Sequence, residues 1–255
     1  DSMCHLVGLI GKSSSTSLVD PQVSSGTLPW KFKFVDVDGE LTVESVHSSP
    51  TVHTTRKHST QSMRMLWKEV KLLDSNNKSV AAVDITFSAS LRDTSSVAET
   101  GVSFEVKSGT PVGIWEVDMN FPLSAGVGSD GELFYPTGYG ATYSDPAKST
   151  GGEHTYTYPC GSASMQFMAL GSSASPSGVY VAALDKGGEA KQLTYRSQKS
   201  GSMLSVSVYP ADAGVTIAIG EGWSMPYPVA LGVLSHVDAA AGTPLWHQAA
   251  SEYRS

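Results

Sequence analysis

Charge is scarce in this chain. Only 16% of its 255 residues are Asp, Glu, Lys or Arg, against about 25% in an ordinary soluble domain. The formal net charge of −7 excludes the basic footprint that nucleic-acid binding requires. Cysteine is scarcer still: Cys4 and Cys160 suffice for one disulfide and are too few for a framework. No apolar run approaches the roughly 18 residues of a membrane-crossing helix, and the short run at 6–10 lacks the basic flank of a signal peptide. Helical periodicity is missing before residue 243. Also absent are a Gly-x-Ser-x-Gly elbow, a phosphate-cradling glycine loop and a zinc-protease helix. His53 and His58 stand five apart in a polar segment with nothing to complete a metal site. Neither a metal nor a cofactor is expected.

What is abundant is turn and strand chemistry. The chain holds 25 glycines and 13 prolines, the residues that punctuate short strands. Val83, Ile85, Phe87, Ala89 and Leu91 alternate with Asp84, Thr86, Ser88 and Ser90. Val102, Phe104 and Val106 repeat the pattern, and so do Trp115, Val117, Met119 and Phe121 against Glu116, Asp118 and Asn120. Period-two alternation is what a sheet with one buried and one wet face demands. Further strands are expected near 165–169, 179–183, 193–195, 204–209, 215–219 and 229–234. The polar stretch 47–62, which carries His47, His53 and His58, reads as a long loop or an edge hairpin, and residues 36–40 as a type I turn. About a dozen strands exceed an immunoglobulin-type domain. The expected fold class is all-β, a large two-sheet antiparallel supersandwich with a short C-terminal helix. Residues 1–29 are expected to form a poorly patterned segment of first strands, 30–242 the sandwich, and 243–255 the start of a linker helix toward a further domain.

That helix stands apart. Thr243 suits the cap and Pro244 the first helical position. Leu245, Trp246, Ala249, Ala250 and Tyr253 then recur as one apolar stripe. Either the helix starts a seam toward a further domain, or it folds back on its own sandwich.

Candidate chemistry is less selective. Paired carboxylates for glycoside cleavage need an acid and a base or nucleophile flanking one bond, and Glu116, Asp118, Asp130, Glu132, Asp145 and Asp185 are all available with nothing to single out two. Phe134, Tyr135, Tyr139 and Tyr143, spaced by Gly and Pro, either present flat rings to a sugar or close the open end of the sandwich.

Three stretches resemble a known family. They are Tyr158-Pro159 followed by 165–169, then 178–185 with Lys191, then 226–232 leading to the Trp246-x-x-Ala249-Ala250-x-x-Tyr253-Arg254 pattern. With 133–136 and Gly140 before them, they resemble the N-terminal β-supersandwich of large glycoside hydrolases, the endo-α-N-acetylgalactosaminidase-like enzymes. The resemblance implies a galactose-mutarotase-like sandwich packed against a (β/α)8 barrel that holds the catalytic carboxylates, so it carries over no catalytic residue. It implies Tyr135, Tyr139, Tyr143 and Asp185 as contacts bordering a sugar cleft. It further implies a carbohydrate and a barrel or other domain as partners. The acidic balance and the lack of a long apolar run give the expectation of no nucleic acid and no membrane span, and the Asn77-Lys78-Ser79 sequon that of an extracellular setting. Two alternatives stay open: a stand-alone extracellular carbohydrate-binding or structural protein, and a mutarotase-like enzyme using His154 or His236 with Glu132 or Glu221.

Overall fold

The computed structural model describes residues 28–43, 50–93, 95–123, 131–159, 163–172, 177–198, 201–235 and 244–254. The expectations that rest on Cys4, Cys160, His47, Asp130, His236, Thr243 and the segment before residue 28 lie outside the described residues. Strands β1 (Trp30–Asp36), β2 (Gly39–Val43), β3 (Thr51–Lys57) and β4 (Thr60–Leu73) come first. The long hairpin partners β5 (Ser79–Arg92), β6 (Val97–Gly109) and β7 (Gly113–Leu123) follow. Next come β8 (Gly131–Tyr135), β9 (Ala141–Ser144), a single helical turn α1 (Pro146–Ser149) and β10 (Glu153–Tyr158). The chain continues through β11 (Phe167–Ser172), β12 (Ser177–Ala183), β13 (Lys191–Gln198) and β14 (Gly201–Val208). It closes with β15 (Gly222–Ser224), β16 (Val229–Ser235) and helix α2 (Leu245–Arg254).

All pairings are antiparallel, and the sixteen strands make one continuous ladder. One layer runs β10-β13-β14-β7-β1-β2, the other β4-β5-β6-β16-β12-β11-β8-β9. They join where β2 leaves β1 and pairs with the end of β4, Thr42 opposite Leu73 and Val43 opposite Leu72. Local chemistry sets the corners. Asp36 Oδ1 accepts the amides of Asp38 and Gly39 at 2.9 and 3.1 Å, closing the β1–β2 turn as an Asx turn. Asp74 Oδ1 likewise takes the amides of Asn76 and Lys78 between β4 and β5.

The inner faces meet in one core. Trp30 of one layer sits edge-on to Trp67 of the other at 5.3 Å between ring centroids, and Phe34 sits edge-on to Phe104 at 4.9 Å. Such pairs add about 0.5–1.5 kcal/mol beyond the area they bury.

Two expectations fail here. Trp115 does not share the inner face with Val117, Met119 and Phe121. The register steps from Lys33 opposite Glu116 to Phe34 opposite Ile114, so Trp115 is the extra residue of a β-bulge and is half exposed. Residues 215–219 are not a strand either: only Ile217 pairs, with Val112, while Val215 and Ile219 are exposed. Gly214 and Gly220 take positive φ on either side, 79° and 83°, and end the extended run. The described part of the stretch 47–62, from residue 50 on, is an edge hairpin, β3 with β4.

Strands β11, β12 and β16 are apolar on both faces. Met168, Leu170, Val179, Val181, Val229 and Leu231 point inward. Phe167, Ala169, Tyr180, Ala182, Ala230 and Leu234 point outward, where α2 covers them with Leu245 and Ala249. The helix therefore folds back on its own sandwich. Two glycines opposite each other on β11 and β12, Gly171 and Gly178, make its seat. A Cβ on either would lie 2.7 or 2.6 Å from a Leu245 methyl, so a larger residue at either position would push the leucine from this seat.

Candidate functional site

The four sequence-derived contact residues divide into three environments around the β8–β9 hairpin and α2. Tyr135 and Tyr143 belong to the first, at the open end of the sandwich. The Tyr135 side chain is fully buried, and its hydroxyl donates to the His154 carbonyl at 2.9 Å. Burial pushes its phenol well above the ordinary tyrosine range. Tyr143 is half-buried and shares a hydrogen bond with the Tyr156 hydroxyl; burial, reinforced by that bond, pushes Tyr156 up to about 12. The His154 ring sits 4.5, 5.0 and 5.4 Å from the rings of Tyr156, Tyr143 and Tyr135. Its Nε2 is buried with no hydrogen-bond partner among the described residues, and burial lowers its pKa. These rings join the β8–β9 hairpin of one layer to β10 of the other, the closing role weighed for the aromatic loop.

Asp185 belongs to the second environment, a buried node after β12. Its Oδ1 accepts the Gly187 amide at 2.7 Å, and its Oδ2 accepts the Glu189 amide at 2.6 Å and Lys191 Nζ at 2.7 Å. Lys191 is wholly inaccessible, with its ammonium 4.9 Å from the Tyr158 ring centre and 5.1 Å from that of Tyr227. Burial pulls the Lys191 pKa down, opposed by Asp185. Burial alone would raise the Asp185 carboxyl, yet the ammonium and the two amides hold it below the ordinary range. Gln166 Nε2 donates to the Asp185 carbonyl at 2.8 Å and hydrogen-bonds Tyr253 of α2, tying the helix to the node. Asp185 is thus a clasp between β12, β13 and α2. The sequence signal for it was a lysine, Lys191, opening a strand with a buried face.

Tyr139 stands in the third environment, fully exposed at the tip of the β8–β9 turn. The helix residue Trp246, taken from sequence as part of the packing stripe, keeps 40% of its surface exposed. Its indole stacks on Phe134 at 5.8 Å and 24°, and Phe134 stacks on Phe167 at 5.6 Å and 28°.

Other polar groups gather elsewhere. Glu116 and Asp118 share one face of β7, opposite Lys33 and Lys31 of β1. Asp118 accepts the Ser207 hydroxyl at 2.6 Å and Glu116 that of Tyr209 at 3.2 Å. Burial first, then Glu116, pushes Tyr209 up to about 12. A cleft of about 750 Å³ lies between β3–β6 and the 225–228 loop, walled by His53, Arg64, Ser88, Glu99 and Pro226. None of the four sequence-derived residues lines it.

Comparison with known proteins supports the fold. No protein-family model matches the chain. It is 33% identical over 144 residues to a Monosiga brevicollis protein provisionally named glycoside hydrolase 22789, covering 56% of this chain and 11% of that one. Among solved structures it resembles the GH36 α-galactosidase AgaA of Geobacillus stearothermophilus, with a TM-score of 0.53 and 12% identity, over 80% of this chain and 30% of the enzyme. It also resembles the α-galactosidase of Lactobacillus brevis, with a TM-score of 0.51 and 15% identity, over 88% and 31%. A galactose mutarotase-like protein of Clostridium acetobutylicum matches with a TM-score of 0.52 and 10% identity, over 84% of this chain and 80% of its own. The chain thus spans about a tenth of its sequence relative and less than a third of the α-galactosidases. Its fold is a galactose mutarotase-like β-supersandwich.

Proposed function

We propose that this chain is the non-catalytic N-terminal β-supersandwich of a secreted glycoside hydrolase, supporting a (β/α)8 barrel and bordering its sugar cleft. The observation that carries this reading is the fold match itself, in which the same sandwich accounts for only 30% of the AgaA chain. The Monosiga relative, with its glycoside hydrolase name, points the same way. In this reading the carboxylates that cleave the glycosidic bond lie at the ends of barrel strands. Helix α2, clasped through Tyr253, Gln166 and the Asp185–Lys191 pair, gives the barrel a rigid neighbour. Tyr139, exposed at the tip of the β8–β9 turn, is the most accessible of the four expected contacts. The exposed Asn77 at the β4–β5 turn, with φ of 59°, is accessible to a glycosyltransferase and supports an extracellular setting.

The test is expression of the full coding sequence beside the 255 residues alone, both assayed on aryl α-galactoside and aryl α-N-acetylgalactosaminide. The full protein should release the aryl group and the 255 residues should not. Turnover by the 255 residues alone would overturn the reading in favour of a self-contained enzyme. A coding sequence without a barrel would favour the stand-alone carbohydrate-binding or structural alternative.

A further inference from the structure

We propose that Asn77 is the acceptor of a single N-linked glycan, carried on the β4–β5 turn at the end of the sheet remote from α2. The proposal rests on the reading above only for passage through the secretory route. The turn is closed by Asp74. Its amide donates to the Lys78 carbonyl, and its carbonyl accepts the Asn77 amide, both at 3.0 Å. Asp74 Oδ1 accepts the amides of Asn76 and Lys78, both at 2.9 Å. Asn77 itself takes φ of 59°, a conformation that asparagine tolerates better than most residues.

That conformation accounts for Asn77 but not for Ser79. The serine opens β5 opposite Leu73 and is exposed, and its hydroxyl makes no hydrogen bond among the described residues. Asn77 is exposed as well, and its carboxamide makes none either, because Asp74 already holds the amides that a turn asparagine commonly binds. A free carboxamide with a free hydroxyl two residues on is what an oligosaccharyl transferase recognises. In the transfer, Asn77 Nδ2 attacks the anomeric carbon of a lipid-linked oligosaccharide diphosphate. The C–N bond forms as the C–O bond breaks, the lipid diphosphate leaves with the bonding pair, and the Nδ2 proton passes to a base of the transferase. Residues 75–79 are all exposed, so the folded turn has room for the product.

The register shows what the glycan would leave clear. Ser90 of β5 lies opposite Glu99 of β6, and Glu99 lies opposite Ala230 of β16, one of the residues beneath α2. Ala230 is therefore level with Ser90, eleven residues along β5 from Ser79, a distance on the order of 35 Å. A glycan on the turn leaves the helix open to a neighbouring domain. The other two asparagines of the chain, Asn76 and Asn120, have Lys78 and Pro122 where a sequon needs serine or threonine, so one site is expected.

The experiment is secretion of the 255-residue chain from insect cells behind a heterologous signal peptide, followed by gel mobility with and without peptide-N-glycosidase F and by peptide mass spectrometry. The wild type should lose the mass of one glycan on digestion, mapped to Asn77. That shift should vanish in Asn77→Gln and Ser79→Ala and persist in Asn76→Gln and Ser79→Thr. Ser79→Ala keeps asparagine at the positive φ, so its result is independent of any strain that glutamine brings there. Secreted wild type without the shift, or a shift that survives Ser79→Ala, would overturn the proposal. The full coding sequence, expressed as encoded, separates the site from the reading beneath it. A glycosylated 255-residue chain beside a full protein kept in the cytosol would sink the secreted setting and leave the acceptor site standing; a full protein in the medium with Asn77 bare would do the reverse.

Discussion

The two ends of the larger layer are built on opposite principles. At one end β12 is apolar on both faces, its inner residues in the core and its outer ones beneath α2. At the other end β3 is exposed along all seven residues, and the adjoining stretch of β4 carries Gln61, Ser62 and Arg64. A strand that is apolar on both faces needs a cover on both; a strand of alternating or wholly polar residues does not. The covered end also spends unusual residues on its cover, a glycine pair under Leu245 and a buried ion pair beside Tyr253. The exposed end is held by cross-strand pairing and surface charges such as Arg56 with Asp93, 2.8 Å apart.

Substitutions at the two ends should therefore differ in kind. The largest loss is expected from Asp185→Ala, which strands the Lys191 ammonium in the interior. Breaking such a pair costs about 3–5 kcal/mol, measurable as a fall in the denaturant midpoint with an unchanged m-value. If Asp185→Ala proved as mild as a surface change, the clasp would not be holding the covered end.

Next comes Gly178→Val, whose side chain would occupy the space of the Leu245 methyls. Overpacking of this kind costs about 1–3 kcal/mol, and here it should appear as loss of α2 while the strands persist. Circular dichroism together with quenching of Trp246 fluorescence would separate those two outcomes.

A smaller, pH-dependent effect is expected at His154. Burial lowers its pKa from 6.5, so the folded chain binds its proton less readily than the unfolded chain does. The stability this contributes is fully present above pH 6.5 and is lost as pH falls through the lowered folded value. Thermal midpoints measured between pH 7.5 and 4.5 should fall more steeply for the wild type than for His154→Phe. Parallel curves would remove His154 as the cause. The smallest effect belongs to the exposed end: Arg56→Ala should cost about 0–1 kcal/mol, and a larger loss would erase the contrast between the ends.

Much of this was legible in the residues, and the failures have physical reasons. The alternation at 83–91 and 102–106 placed β5 and β6 because one face of each is buried and nothing interrupts the period. Trp115 escaped because a bulge shifts the period by one residue without any local mark in the composition. The 215–219 run alternates well, yet flanking glycines confine it to a single bridge.

The apolar runs of β11, β12 and β16 read only as strands, and the residues left open whether the helix folds back or leads away; the cover on their outer faces shows once Gly171 and Gly178 are seen opposite each other beneath Leu245. Tyr135 and Tyr143 could not be told from surface rings, because their burial depends on β10, which follows them in the chain and lies in the other layer. Tyr139 differs from them only by its place at the tip of the turn, between two glycines that sharpen it.

The central claim is that α2 is an integral, docked part of the sandwich and not a free tether. Hydrogen exchange on the isolated 255-residue chain tests it most directly. The account predicts that the amides of Ala249 to Tyr253 are protected to the same order as those of β11 and β12, and that Gly178→Val removes the protection in the helix alone. Exchange of those helix amides at unprotected rates in the wild type, with β11 and β12 still protected, would contradict it.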